Sequence, residues 1–230
     1  MSRWLVVSVM VSCSWGCKRS AEAPGEPSRP AEKNKDVKEA PAGPGLKRVS
    51  VTMAQARSWG LPPVTFTLTC PEAVEVDLAR PGRRNLFYVL LTLNREGKMS
   101  ESVSVSHVDL RGGSSSRFDA LAPVVMKRLQ SALLSQLPGM KVVSSGKTKF
   151  GGVSLWQFRT TFQIKDASMG EPGRYKSIWL ALLPGRGARS PNGASLTMAA
   201  REGSGTELTT FDDFATKGLP AQVWRSFRIR

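Results

Sequence analysis

The apolar residues of this chain change period twice, and that restricts the fold more than any other feature of the sequence. Val64-Thr-Phe-Thr-Leu-Thr69 alternates strictly, with Val64, Phe66 and Leu68 on one side and threonines on the other. Such a run marks a strand with one face buried. Between residues 121 and 137 the period becomes four. Leu121, Val125, Leu129, Leu133 and Leu137 form a ladder with Met126 and Leu134 beside it, the apolar stripe of one long helix. Period two then returns: Trp156, Phe158, Phe162 and Ile164 share one parity, with Gln157, Arg159, Gln163 and Lys165 opposite. Strands, one long helix and further strands describe an α+β sandwich with a mainly antiparallel sheet.

The turn residues fit this order. Val74 to Leu78 reads as a short strand, Pro81-Gly82 as a turn, and Leu86 to Leu93 as a central strand, apolar on both parities and covered on both faces. Asn94-Arg-Glu-Gly97 turns the chain into an alternating run from Ser102 to Val108. A Gly-Gly-Ser-Ser-Ser loop (112–116) leads to the helix, with Ser116 and Asp119 as candidate caps and Pro123 placing the first regular turn near Ala120. Pro138-Gly139 ends it. Val142 and Val143 lead to an expected turn at Ser145-Gly-Lys147, and a second turn at Gly151-Gly152 opens the aromatic strand from Leu155 to Lys165. Ile178 to Leu183 is again apolar on both parities, and Leu196, Met198 and Ala200 alternate. A final helix is expected from near Thr210, with Asp213 in a capping-box position and Gly218-Leu219-Pro220 interrupting it before Ala221 to Phe227.

The first residues speak to location. Arg3 precedes a nearly unbroken apolar run from Trp4 to Val11, too short to span a bilayer and suited to a signal peptide. Gly16 immediately precedes Cys17, which resembles the bacterial lipoprotein signal, where a small residue stands before the cysteine that becomes diacylated. Ser14 and Trp15 depart from that pattern, Cys13 offers a second, poorer frame, and an ordinary secretory signal or an uncleaved anchor fits the same run. Residues 18 to 45 contain no Leu, Ile, Met or aromatic residue, but five prolines and alternating charge. A stretch of that composition buries too little to offset its ordering entropy. The expected organisation is a signal peptide over 1–16, a disordered tether over 17–45 and a globular domain over 46–230. A flexible tether of this length averages about 30 Å end to end. Lys18 rather than Asp after the cysteine resembles the sorting signal for the outer membrane. Cys70 would then be the only thiol left, most simply a buried apolar residue near a strand end.

Charge belongs to the domain. The whole 230-residue chain carries 33 basic and 18 acidic residues. Removing Arg3 and the tether's six basic and five acidic residues leaves +13 on residues 46–230. Arg80, Arg83 and Arg84 flank Pro81-Gly82, and Arg186 and Arg189 lie in the later Gly/Arg/Pro loop; these five form the candidate anion-binding surface. Outside the cytoplasm the abundant polyanions are lipid headgroups and glycolipids. No nucleic-acid motif is present, and the aromatic residues follow strand parity instead of interleaving with the basic turns.

Composition excludes a multidomain enzyme, a disulfide-rich miniprotein and a polytopic membrane protein. One histidine and three cysteines leave almost no material for a metal site, and no cofactor fingerprint occurs. His107 shares parity with Val103 and Val105, so it is expected to face the core side. Gly146-Lys147-Thr148 mimics the end of a phosphate-binding loop but lacks the preceding glycine spacing and the following helix. Ser144 and Lys147 have the spacing of a serine/lysine pair but sit in an expected turn. Asp212-Asp213 at a helix start complements the helix dipole more simply than it forms an acid/base pair. No catalytic residue is assigned.

The element order, Gly151-Gly152 followed by Trp156-Gln-Phe-Arg, and the closing Phe211, Phe214 and Leu219-Pro-Ala-Gln-Val-Trp-Arg-Ser-Phe together resemble the PsbP-like family over residues 61–230. The resemblance implies an α/β/α sandwich around an antiparallel sheet. It also implies a binding or assembly role: the family includes bacterial lipoproteins and a nuclear-import cofactor that binds a small GTPase, and members known to act do so as binding or assembly proteins. Fold alone does not fix function, and no functional residue transfers by position. The expected function is therefore a lipid-anchored binding or assembly module of a bacterial cell envelope, at the outer membrane facing the periplasm. Its expected partners are an envelope protein or an anionic lipid or glycolipid, without catalysis, cofactor, metal or nucleic acid. Two alternatives stand beside it. One is a chaperone-like module holding apolar segments of a secreted partner, although relatives linked to type VI secretion lack a lipoprotein signal; the other is a hydrolase with an unrecognised site.

Overall fold

Alternating runs become strands, and the strands sort into two sheets. The computed structural model describes residues 45–82, 85, 87–109, 118–137, 139–168, 170–182 and 192–229. The elements in chain order are β1 (Leu46–Val51), α1 (Met53–Ser58), β2 (Phe66–Pro71), β3 (Glu75–Leu78), β4 (Val89–Arg95), β5 (Lys98–Asp109), α2 (Phe118–Gln136), β6 (Lys141–Phe150), β7 (Val153–Ile164), β8 (Gly173–Leu182), β9 (Asn192–Arg201), a 3-10 turn (Asp212–Ala215), α3 (Gly218–Ser226) and β10 (Arg228–Ile229). A seven-stranded sheet has the order β3-β4-β5-β9-β8-β7-β6, and a three-stranded sheet the order β1-β2-β10. Every pairing is antiparallel. The fold is α+β, as the changes of period require.

The two faces of the large sheet bury different cores. On one face Val103, Val105, Ile178, Leu180, Leu196 and Met198 meet Val51, Phe66 and Leu68 of the small sheet, Ala56 of α1, and Leu219 and Val223 of α3. Phe66 is fully enclosed, its ring 5.9 Å from Tyr88 and 5.5 Å from Phe227. Burying a side chain of this kind is worth roughly 1.5–3 kcal/mol. On the other face α2 lies against β6 and β7, with Ala122, Met126, Leu133 and Leu137 packed onto Phe158 and Ala181. Phe158 stacks on Trp179 at 5.5 Å across the β7–β8 pair. One face of the sheet is thus covered by helix, and the second by a small sheet together with α1 and α3.

Several expectations need correction. The turn at Ser145-Gly-Lys147 does not form: β6 runs through it, pairing with β7 from Lys141 to Phe150, and the irregularity is a bulge between Val142 and Ser144. The ladder to β7 overrides the local turn propensity of Ser-Gly-Lys. Leu134 is 46% exposed because it falls off the stripe that Leu133 and Leu137 bury. The helix starts at Phe118, two residues before Ala120. At the C-terminus Gly218-Leu219-Pro220 begins α3 and does not interrupt a longer helix; before it lies only the 3-10 turn. Residues 46–58 contain an unforeseen strand and helix. In α1, Thr52 Oγ1 accepts from the Gln55 amide at 3.2 Å and Gln55 Oε1 accepts from the Thr52 amide at 2.9 Å, a reciprocal cap. The 112–116 loop, Ser116, and everything expected of residues 1–44 lie outside the described residues.

The β6–β7 hairpin depends on Gly151. Its φ of 54° suits glycine, and a Cβ there would run into the Trp224 indole of α3. Trp224 meets Phe150 edge-to-face at 5.1 Å, so the hairpin is clasped to the C-terminal helix.

Candidate anion-binding face

Alternation along β7 puts Arg159, Thr161 and Gln163 on the face opposite Phe158 and Phe162. Strand register then decides what joins them. On β6, Lys141 lies opposite Thr161 and Ser144 opposite Arg159. On β8, Lys176 lies opposite Thr161 and Arg174 opposite Gln163. Directly opposed residues stand about 4.5–5.5 Å apart and diagonal ones about 7–8 Å. Lys141, Arg159, Arg174 and Lys176 therefore share one face of three adjacent strands, with Thr161 and Gln163 between them.

This cationic group continues the face that buries the inter-sheet core. Ile178 and Leu180 are covered, Lys176 is half-buried and Arg174 is exposed, so the cover ends between positions 178 and 174. The 3-10 turn forms the rim. Asp212 Oδ1 lies 3.2 Å from Arg159 Nη2, and the guanidinium sits 5.7 Å from the Phe211 ring centre. Lys176 Nζ donates to Glu202 Oε1 at 2.8 Å. Among the described residues no acidic group lies within ion-pair distance of Lys141 or Arg174. Asp212 is 87% exposed, and pairs at such exposure contribute about 0–1 kcal/mol. An incoming anion can therefore displace Asp212 at small cost. The face offers four cations, two of them without an acidic partner among the described residues, with neutral hydrogen-bonding side chains between.

The expected anion-binding arginines fare differently. Arg80 is exposed beside Pro81-Gly82, but its guanidinium lies 3.7 Å from Asp77. Arg83, Arg84, Arg186, Arg189 and the candidate lipidation site Cys17 lie outside the described residues. The β6–β8 face was not foreseen, although Arg159, Gln163 and Lys165 were legible as one parity; their neighbours on β6 and β8 follow only from register.

The residues weighed for chemistry are dispersed. His107 keeps the parity of Val103 and Val105 but is exposed. Ser144 pairs with Arg159 and Lys147 with Trp156, so the two side chains leave opposite faces of β6. Asp212 points outward to Arg159, whereas Asp213 turns inward. There Asp213 Oδ2 accepts from the backbone amides of Thr209 and Thr210 at 3.0 and 2.7 Å, and Oδ1 lies 2.9 Å from Lys217 Nζ. The Lys217 contact first, then the Thr210 hydrogen bonds, hold this carboxyl well below the usual carboxylate range. Cys70 is fully buried, and burial pushes its thiol up, with Lys47 opposing. Among the described residues no group of three His, Cys, Asp or Glu side chains is placed to hold a metal, and no helix is long and apolar enough to cross a membrane.

No protein-family model matches the chain. No curated protein matches it either. Among solved structures, the chain is similar to a protein of unknown function from Pseudomonas aeruginosa, described as a candidate regulator, at 15% identity and TM-score 0.32, over 59% of this chain and 77% of that one. It is also similar to cyanobacterial PsbP from Synechocystis at 14% identity and TM-score 0.43, over 84% of this chain and 99% of that one. At these values neither likeness carries an argument about function.

Proposed function

We propose that the protein is a non-catalytic, lipid-anchored module of a bacterial cell envelope that binds an anionic envelope component through Lys141, Arg159, Arg174 and Lys176. The observation that carries this reading is the placement of four cations on one face of β6–β8, two of them without an acidic neighbour among the described residues. The +13 balance of residues 46–230 supports it, because a field of that sign concentrates polyanions around the domain. The anchor rests on the apolar run before Gly16-Cys17 and the proline-rich, charged segment that follows. Two acyl chains on Cys17 meet the two-signal requirement for stable anchoring. Lys18 favours the outer membrane, facing the periplasm.

The test has two arms. Labelling cells with an alkyne fatty acid reads the anchor: Cys17→Ser is expected to lose the label and leave the membrane fraction, and retention of both by that variant would contradict the anchor. Flotation with phosphatidylglycerol vesicles reads the face. Each basic residue near an anionic surface contributes about 1 kcal/mol. Lys141→Gln with Arg174→Gln should therefore weaken binding by roughly thirtyfold at low salt. Unchanged binding by the double variant would remove the face from the proposal.

A further inference from the structure

The outer edge of β6 is a second surface, distinct from the cationic face. β6 is the last strand of the seven-stranded sheet, ten residues long, with only Phe150 buried. An edge strand turns alternate backbone N–H and C=O groups outward, where an added strand can pair with them. The opposite edge, β3, has four residues, and its acids are engaged, Glu75 by Asn94 at 2.9 Å and Asp77 by Arg80. β6 is thus the long edge of this sheet.

Its side chains give that edge a direction. Register with β7 puts Val142, Ser145, Lys147 and Lys149 on the α2 side. Gln130 of α2 donates to Ser145 Oγ at 2.6 Å, which fixes the helix beside the strand. One turn further along α2 is Leu134, 46% exposed, toward the start of β6, where Val142 is 37% and Val143 55% exposed. On the α2 side the edge is apolar at that end and cationic at the hairpin end, and β6 contains no acidic residue.

We propose that this edge receives an extended acidic polypeptide segment as an eighth strand. Charge selects the occupant. A second copy of β6 offers no carboxylate to these lysines and belongs to a chain of net charge +15, whereas carboxylates opposite Lys147 and Lys149 are attracted. The bulge and the lysines guard the edge against its own kind without closing it to an acidic strand. A segment running antiparallel to β6 meets Lys149 first, then Lys147, Ser145 and the exposed valines. Its residues on that face must therefore read acidic, x, acidic, x, x, x, apolar.

The experiment uses the full-length chain and fluorescent ten-residue peptides, read by anisotropy. A peptide with the stated pattern is expected to bind, a scrambled peptide of equal composition to bind roughly tenfold more weakly, and binding to tighten at low salt. Two further peptides carry N-methyl groups on alternate residues, one in each frame. Strand addition requires that one frame abolishes binding and the other is tolerated. Lys147→Glu with Lys149→Glu, both surface changes, should reject the acidic peptide and accept one carrying lysines at the same positions. Equal binding by both methylated frames, or by the scrambled peptide, would overturn the proposal. So would self-association of the chain through this edge, abolished by the same double variant.

Discussion

The backbone amide of Leu219 donates a hydrogen bond to Oε2 of Glu101 at 2.7 Å, joining the first turn of α3 to the middle of the large sheet. Glu101 is fully buried, its Oε1 accepting from Thr206 Oγ1 at 2.9 Å and lying 3.8 Å from Arg95 Nη2. Gly218 leaves room for the carboxylate, which a Cβ there would strike. A buried acid thus caps a helix contributed by a distant part of the chain, satisfying an amide that no residue of α3 can reach.

Removing this carboxylate leaves the buried Leu219 amide and the part-buried Thr206 hydroxyl without their acceptor, while Arg95, 40% exposed, turns to water. Glu101→Ala is expected to cost about 2–4 kcal/mol in urea unfolding, and Glu101→Gln less because one acceptor survives. A loss under about 1 kcal/mol for Glu101→Ala would show that α3 does not depend on the cap.

Asp213 sets an acid limb. Its folded pKa lies below the unfolded value near 3.8, so its contribution is complete above that value and is lost as pH falls through the depressed folded one. Thermal melts of wild type should fall below about pH 4, and Asp213→Asn should be less stable at neutral pH with a shallower decline in acid. Parallel pH profiles for the two would contradict the assignment.

Cys70 should be silent in the native state. Its side chain is fully buried, and burial holds the thiol above its ordinary pKa. In a Cys13→Ser/Cys17→Ser background, a thiol reagent at pH 8 should modify Cys70 only after unfolding. Rapid native labelling would mean that β2 opens.

The hairpin glycines separate strain from contact. Gly151 and Gly152 both have positive φ, at 54° and 83°, but only Gly151 faces Trp224. Gly152→Ala should cost about 1 kcal/mol, whereas Gly151→Ala should cost more and change the Trp emission. Equal losses would show that the indole yields freely.

Much of the sheet was legible because alternation is local. The buried sides of β2, β7 and β9 follow from Phe66 and Leu68, from Phe158, and from Leu196 and Met198. The double apolarity of Ile178 to Ala181 marks a strand covered twice, with Ile178 in one core and Ala181 in the other. β1 escaped notice because Leu-Lys-Arg-Val-Ser-Val mixes charge into its alternation, and its strand character comes from pairing with β2. The cationic face escaped for a related reason. Lys141, Arg159 and Arg174 sit on three strands, and their shared face depends on a bulge after Val142 that no local pattern announces. The basic turns attracted attention instead, because their arginines are close in sequence; Arg80 is exposed, with Asp77 3.7 Å from its guanidinium.

The most direct test of the account is a salt titration of the full-length chain against phosphatidylglycerol vesicles, comparing wild type with Lys141→Gln/Arg174→Gln. Raising salt from 0.1 to 1 M shortens the screening length from about 10 to about 3 Å. Wild-type affinity should fall steeply over that range, and the double variant should start weaker and fall with a shallower slope. Affinity that ignores salt, or equal curves for the two proteins, would contradict an anion-binding role for the β6–β8 face.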